Sequence, residues 1–283
     1  MSESIDRLSG LFERFRVNAS LFHSGTLCGV SRFEPVAGRG FLHVLRQGEL
    51  EVSHPGFPGR VRVEAPSLLF YPRAQARVFH GAPTEGPDFL CATLAFEGGD
   101  LHPVARALPP WLILPLARVQ GLEATLNLLF DERGEGRCGQ RLLIDRLFEV
   151  LLLQIIRWLL NHPEESGVPP GMLAGLAHPQ LARVLTALHE RPGEPWDLHG
   201  MAAVAGMSRS AFAEAFRDTV AKTPADYLAH LRVLIAQQKL RAGGSIKLIA
   251  DQLGYASASS LSRAFASHVG CAPRDWLKTQ TLG

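Results

Sequence analysis

The sequence predicts an α+β protein of two domains, an antiparallel β domain with flanking helices followed by an all-α domain. Three observations lead there. Between Leu21 and Phe96 short apolar runs alternate with Gly and Pro, from Trp196 to Lys278 one helix-glycine-helix construction occurs twice, and residues 162–177 are rich in Pro and Gly. Short runs with punctuating turns mark a small antiparallel barrel or sandwich. Domains are therefore placed at 1–161 and 178–283, with 162–177 as the linker. A chain of 283 residues is long enough for both cores.

In order along the chain, Leu8, Leu11, Phe12 and Phe15 have helical spacing within residues 1–19, an amphipathic lead-in helix that packs on the next domain. Strands are expected at Leu27–Phe33, Phe41–Leu45, Glu49–Ser53, Arg60–Val63, Leu68–Tyr71, Arg77–His80 and Phe89–Phe96. A proline-rich passage from Pro103 to Pro115 precedes a helical stretch at Leu116–Phe130, and the Gly-rich loop 131–139 ends it. The next helix, Gln140–Asn161, carries Leu142, Leu143, Leu147, Val150, Leu151, Leu153, Ile155, Trp158 and Leu159 and leaves little polar face. Such a helix must be buried on several sides. Packing between the β domain and a second copy of the chain would achieve that, so a homodimer is expected. Glu149, Gln154 and Arg157 interrupt its apolar part, which is shorter than the ~20 residues a bilayer requires. No apolar run follows Met1, so a signal peptide is not indicated and a cytoplasmic location is expected.

Pro179–Glu190, with Leu181, Val184, Leu185 and Leu188 on one face, opens the second domain. Each repeated unit then begins at a capping residue, Asp197 or Ser245, whose oxygen can take up free backbone donors. Its first helix stops at Gly206 or Gly254, and a serine, Ser208 or Ser257, caps the second. Phe212 and Phe216 in one copy match Leu261 and Phe265 in the other, four apart and so stacked on one helix face. Small Ala202 and Ala250 allow close helix packing. Between the copies a continuous helix from Thr223 to Ala242, with Pro224 at its start and Gly243 and Gly244 past its end, would be roughly 28 Å long. One DNA turn is ~34 Å. Two helix-turn-helix units so joined can enter successive major grooves.

A helix-turn-helix presents the N-terminal and outward residues of its second helix to base edges. In the first unit these are Ser208, Arg209, Ser210, Ala213, Glu214 and Arg217; in the second they are Ala258, Ser259, Ser260, Ser262 and Arg263, with Lys247 placed to reach the backbone. Arg263, the one long cation on its outward face, is the leading candidate for direct readout of guanine. From His178 onward 12 Lys or Arg stand against 8 Asp or Glu, while the rest of the chain has 17 against 19. The basic excess thus lies on the reading half, and it is small enough that placed phosphate contacts matter more than a general field.

The paired units, the linking helix, Gly254-Tyr255 and the ending Phe265-Ala-Ser-His-Val-Gly-Cys-Ala-Pro273 resemble the DNA-binding domain of AraC/XylS-type transcription regulators over about residues 178–280. That resemblance implies promoter DNA and RNA polymerase as partners and a small-molecule effector. Gly48-Glu-Leu-Glu-Val and Pro66-Ser-Leu-Leu-Phe-Tyr-Pro72 are similar to strands of the cupin-like barrel that often serves these regulators as a sensing domain. Metal-binding cupins supply a His-x-His, a following Glu and a further His. Here His43 and Glu49 keep the interval, but Leu45 and Arg77 stand at the other two places, and His80 lies three residues beyond the last. Neither a metal nor a cofactor is therefore expected, and His43, Glu49, Arg77 and His80 become candidates for an effector pocket. A metal-dependent cupin enzyme with an appended helical domain is the competing class.

Four cysteines, Cys28, Cys91, Cys138 and Cys271, lack the close pairing of zinc sites. Cys28 and Cys91 fall in the barrel on segments that could be neighbouring strands, and oxidation of this pair is a candidate signal.

Overall fold

A computed structural model describes residues 5–133 and 136–281. The first four residues of the expected lead-in helix, and Gly134 and Glu135 of the expected 131–139 loop, lie outside the described residues. The chain divides into two compact units, one of Phe15–Pro169 and one of Met1–Arg14 with Pro170–Gly283.

The first unit holds nine strands: β1 Val17–Thr26, β2 Val30–Phe33, β3 Arg39–Gln47, β4 Glu49–Ser53, β5 Val61–Glu64, β6 Ser67–Tyr71, β7 Arg77–His80, β8 Asp88–Phe96 and β9 Leu112–Pro115. They form two sheets, ordered β1-β8-β3-β6-β9 and β2-β7-β4-β5, and every pairing is antiparallel. Residues alternate across a strand. Phe41 and Leu45 of β3, Leu69 and Tyr71 of β6, and Phe89 and Cys91 of β8 therefore meet Leu50, Val52, Val63 and Phe79 of the other sheet in one core. The intervening Leu42, Val44, Leu68, Phe70, Leu90 and Ala92 are fully buried too, so the larger sheet is covered on both faces.

Part of that cover is helical. α1 Ser9–Arg14 belongs to the second unit, whereas α2 Pro103–Ala107, α3 Glu123–Asp131, α4 Gln140–Asn161 and α5 Pro163–Ser166 belong to the first. α4 lies along β1. Its Asp145 Oδ1 accepts from the Leu21 N–H at 2.7 Å, and its Glu149 Oε1 accepts from the Ala19 N–H at 3.2 Å. β1 is an edge strand, and two carboxylates one helical turn apart thus occupy edge donors that would otherwise invite another strand. The buried face of α4 carries Phe148, Leu151, Leu152, Ile155 and Ile156. Its other face is not buried in this chain: Leu142 is 62% exposed and Val150 43%, with Leu143 and Leu153 also open. No helix among the described residues is long and apolar enough to cross a membrane.

The second unit continues with α6 Met172–Ala177, α7 Leu181–Glu190, α8 Leu198–Ala205, α9 Arg209–Val220, α10 Pro224–Arg241, α11 Ile246–Gln252, α12 Ala258–Val269 and α13 Pro273–Thr281. Three expectations change. The lead-in helix stops at Arg14, because Val17 onward pairs with β8 in register from Val17 opposite Phe96; α1 itself packs on α7, and Arg14 donates to the carbonyls of His189 and Glu190. The helical stretch 116–130 is a 3-10 turn at Leu116–Arg118 followed by α3, divided at Gly121, whose φ of 83° a continuous helix cannot contain. The segment expected as linker is half structural. Met172, Leu173 and Leu176 of α6 are buried, and a Cβ on Gly175 would stand 2.5 Å from Leu185 Cδ1, so this glycine permits close helix packing. The domain boundary accordingly falls at 169/170, and residues 170–177 join the helical unit.

Candidate nucleic-acid interface

The repeated construction folds as two helix-turn-helix units, α8-α9 and α11-α12, at the two ends of α10. Asp197 Oδ1 accepts from the Gly200 N–H at 2.7 Å to cap α8, and Ser208 Oγ accepts from the Ala211 N–H at 3.3 Å to cap α9. Thr223 Oγ1 caps α10 by accepting from the Asp226 N–H. In the second unit the expected Ser245 cap makes no side-chain bond, while Ser257 and Ser260 form a reciprocal capping box at α12. The two turns share one geometry. Gly206 and Gly254 have φ of 66° and 71°, and each following residue donates back to the alanine near its helix centre, Met207 to Ala202 O and Tyr255 to Ala250 O.

Beneath the turns Phe212, Phe216, Leu261 and Phe265 are wholly buried, which fixes the opposite faces of α9 and α12 outward. On α9, Ser208, Arg209, Ser210, Glu214 and Arg217 are exposed, and Ala213 is half-buried. Ala213 and Arg217 also line a groove of about 500 Å³ between the two helix-turn-helix units, with Met201, Leu228 and Tyr255. On α12, Ser259 and Arg263 are exposed, and Ala258, Ser260 and Ser262 are half-buried; Lys247 is exposed on α11. Two of the candidate serines on α12 have their hydroxyls engaged. Ser260 Oγ takes the Ser257 N–H at 3.0 Å, and Ser262 Oγ donates to Ala258 O at 2.9 Å. They are thereby weaker candidates for phosphate contact than Ser259.

Sequence reasoning missed Arg232, the residue of α10 that ties the units together. Its Nε donates to Pro192 O at 2.7 Å and its Nη2 to Glu194 O at 2.8 Å, and its guanidinium lies 5.6 Å from the Tyr255 ring centre. The loop it grips touches the second turn: a Cβ on Gly254 would fall 2.3 Å from Gly193 O. Only the Gly254-Tyr255 pair hinted at this contact, since the partners of Arg232 lie far off in sequence.

The four candidates for an effector pocket do not converge. His43 and Arg77 point into the barrel with 0% and 1% exposure, and Arg77 donates to His43 Nε2. Glu49 sits on the opposite side of β4 from buried Leu50 and Val52 and pairs with Arg62 in solvent. His80 likewise faces away from Arg77 and Phe79 along β7 and bonds Ser53 Oγ at 2.9 Å. His43 and Glu49 therefore share no metal site, and no cluster of three or more His, Cys, Asp or Glu side chains suited to a metal occurs among the described residues. The cysteine pair separates as well. Cys91 is buried opposite His23, and burial pushes its thiol pKa up; exposed Cys28 follows the end of β1 beside Gly86. The five residue steps of extended chain from Gly86 to Cys91 span roughly 15 Å, well beyond disulfide reach.

Comparison with known proteins fits this arrangement. A cupin profile matches residues 6–161 and a helix-turn-helix domain profile matches residues 201–279. A putative AraC-like transcription regulator of Streptomyces lividans is 32% identical over 178 residues, 62% of this chain and 58% of that protein. The RCS-specific HTH-type transcriptional activator RclR of Escherichia coli is 28% identical over 241 residues, 83% of this chain and 82% of that protein. The HTH-type transcriptional regulator AlkR of Acinetobacter baylyi is 32% identical over 185 residues, 62% and 60% of the two chains. The chain thus spans less than two thirds of the length of the Streptomyces relative. With a cupin match over more than half its residues and the doubled helix-turn-helix behind it, the chain belongs to the AraC-type transcription regulators that carry an N-terminal cupin domain.

Proposed function

We propose that this protein reads promoter DNA sequence-specifically through α9 and α12 and that its barrel domain receives a chemical signal. The observation that carries the reading is the spacing of two capped units on one helix: α10 has 18 residues and is about 27 Å long, near one DNA turn. The exposed Arg209, Glu214 and Arg217 on α9 and Arg263 on α12 supply base-edge chemistry, while Lys247 and Ser259 serve phosphate. The open apolar stripe of α4 supports a homodimer, and RNA polymerase is the partner through which such a regulator acts. Selection of bound sequences from a random DNA pool tests this directly. Two short conserved blocks about one turn apart are expected; binding with no preferred sequence would sink the proposal.

A second class of signal, an oxidant, is favoured by exposed Cys28 and by the RCS-specific activator among the relatives. Cys28→Ser should then abolish any change of DNA affinity produced by hypochlorite, and an unchanged response would remove this reading.

A further inference from the structure

The barrel interior contains a buried cation without a counter-charge. Arg77 is 1% exposed, and its guanidinium carbon lies 4.2, 4.6 and 4.7 Å from the ring centres of Phe41, Tyr71 and Phe33. Burial lowers its pKa to about 10, which still leaves it charged at neutral pH. The ion pairs of this unit among the described residues are Arg46 and Arg133 with Asp88, Arg60 with Glu51, Arg62 with Glu49 and Glu64, Arg137 with Glu132, and Arg146 with Glu149. None involves Arg77. Buried charges are ordinarily paired, because taking an ion out of water is costly.

The hydrogen bonds around Arg77 say what kind of partner is missing. Its Nε and Nη2 both donate to His43 Nε2, at 3.1 and 2.9 Å, and its Nη1 donates to Gln75 O at 3.2 Å. A guanidinium has five N–H donors and no acceptor; two of the five remain. Because His43 must lend the Nε2 lone pair, its own proton sits on Nδ1, and buried Nδ1 has no acceptor. Burial and Arg77 together hold the His43 pKa well below its ordinary value, so the ring adds no charge of its own. Every unmet polar group of this pair is thus a donor. The surrounding walls are Phe33, Phe41, Tyr71 and Phe79, and of these Phe33 is half-buried on the edge strand β2, where a wall can give way.

We propose that the barrel binds a small carboxylate with an apolar body, the carboxylate taking the two remaining N–H groups of Arg77 and the body lying against the aromatic walls. This deepens the signal-receiving role proposed above and rests on it only for its consequence at DNA. Planar, two-point recognition is the geometry arginine offers to a carboxylate.

Thermal unfolding of the full chain, at fixed ionic strength, tests the site with sodium benzoate and sodium butyrate against benzamide and butyramide, and with chloride and phosphate as inorganic anions. At least one carboxylate should raise the midpoint, its neutral amide and the inorganic anions should not, and Arg77→Met should abolish the rise. If Arg77→Met does not fold, Arg77→Lys keeps the charge without the fork and should weaken carboxylate binding at least tenfold by calorimetry. Equal shifts with acid and amide, equal shifts with the inorganic anions, no shift with either carboxylate, or parent-like binding by the Arg77 variants would overturn the proposal. DNA affinity measured alongside separates it from the sensing reading. Carboxylate binding through Arg77 that leaves DNA affinity unchanged removes the sensing role and keeps the site; a signal that works equally well in Arg77→Lys does the reverse.

Discussion

The two helix-turn-helix copies are alike in their buried aromatics and turns but unlike in what holds them. The first turn, at Gly206, is open: a Cβ there would meet nothing within 4 Å. The second, at Gly254, presses on Gly193, and Arg232 clamps the same loop while lying over Tyr255. Their reading faces invert this order. α9 offers Arg209, Glu214 and Arg217, whereas α12 offers Arg263 and Ser259, with Ser260 and Ser262 engaged in its own backbone. The difference teaches that repeating a motif does not repeat its task. The second copy is built into the frame of the unit, and the first presents more exposed charged side chains on its second helix.

Alanine at each turn glycine is the strongest way to break this comparison. Gly254→Ala imposes a left-handed backbone on a residue with Cβ and drives that atom into Gly193 O, and should cost ~4 kcal/mol of stability. Gly206→Ala bears only the backbone term, ~1 kcal/mol. Denaturant unfolding of the full chain measures both, and equal losses would erase the distinction between clamped and open turns. Next in size is Arg232→Met, which leaves the part-buried Pro192 carbonyl and the exposed Glu194 carbonyl without their charged donor and should cost ~2 kcal/mol. It should also weaken binding to two-part DNA sites more than to an isolated half-site, in gel-shift titrations of both.

Much of this frame is legible in the sequence. Gly at the turn, Ser or Asp at the caps and pairs of apolar residues four apart act locally, so they can be read without knowing what lies opposite. The strands β4 and β7 are legible for the same reason, as Leu50 with Val52 and Arg77 with Phe79 set the inward parity. That parity also shows why Glu49 and His80 were misplaced: an interval borrowed from metal-binding relatives overrode the alternation that turns both side chains outward. β1 is not legible in the sequence, because its mixed Val17–Thr26 pattern is stabilised by pairing with β8 and by carboxylates of α4 from more than a hundred residues away. Gly175 and its neighbours looked like linker because a glycine needed for close packing and one needed for flexibility are written alike. Contacts such as those of Arg232 and Arg77 depend on tertiary placement, and no local pattern announces them.

At the reading faces the comparison becomes one of specificity. Arg263→Ala should lose 1 to 3 kcal/mol of discrimination, on the order expected for one bidentate guanine contact, at a single position of the second half-site. Arg209→Ala should blur the first half-site, which is expected to show the more sharply defined bases. Binding profiles over all single-base variants of a selected site decide this, and a second half-site read as sharply as the first would overturn the assignment of unequal roles.

The smallest effect sets the two capping serines of the second unit against each other. Ser257 both accepts the Ser260 N–H at 3.1 Å and has its own N–H held by Ser260 Oγ, whereas Ser245 makes no side-chain bond at the start of α11. Ser257→Ala should therefore cost ~1 kcal/mol and Ser245→Ala only a few tenths of that, although the sequence pattern marks both as helix caps. Because α12 begins at that box, Ser257→Ala should further reduce affinity at the second half-site and spare the first. Equal stability losses for the two serines would show that α11 uses a side-chain cap after all, and the second copy would then be capped at both its helices as the first is at Asp197 and Ser208.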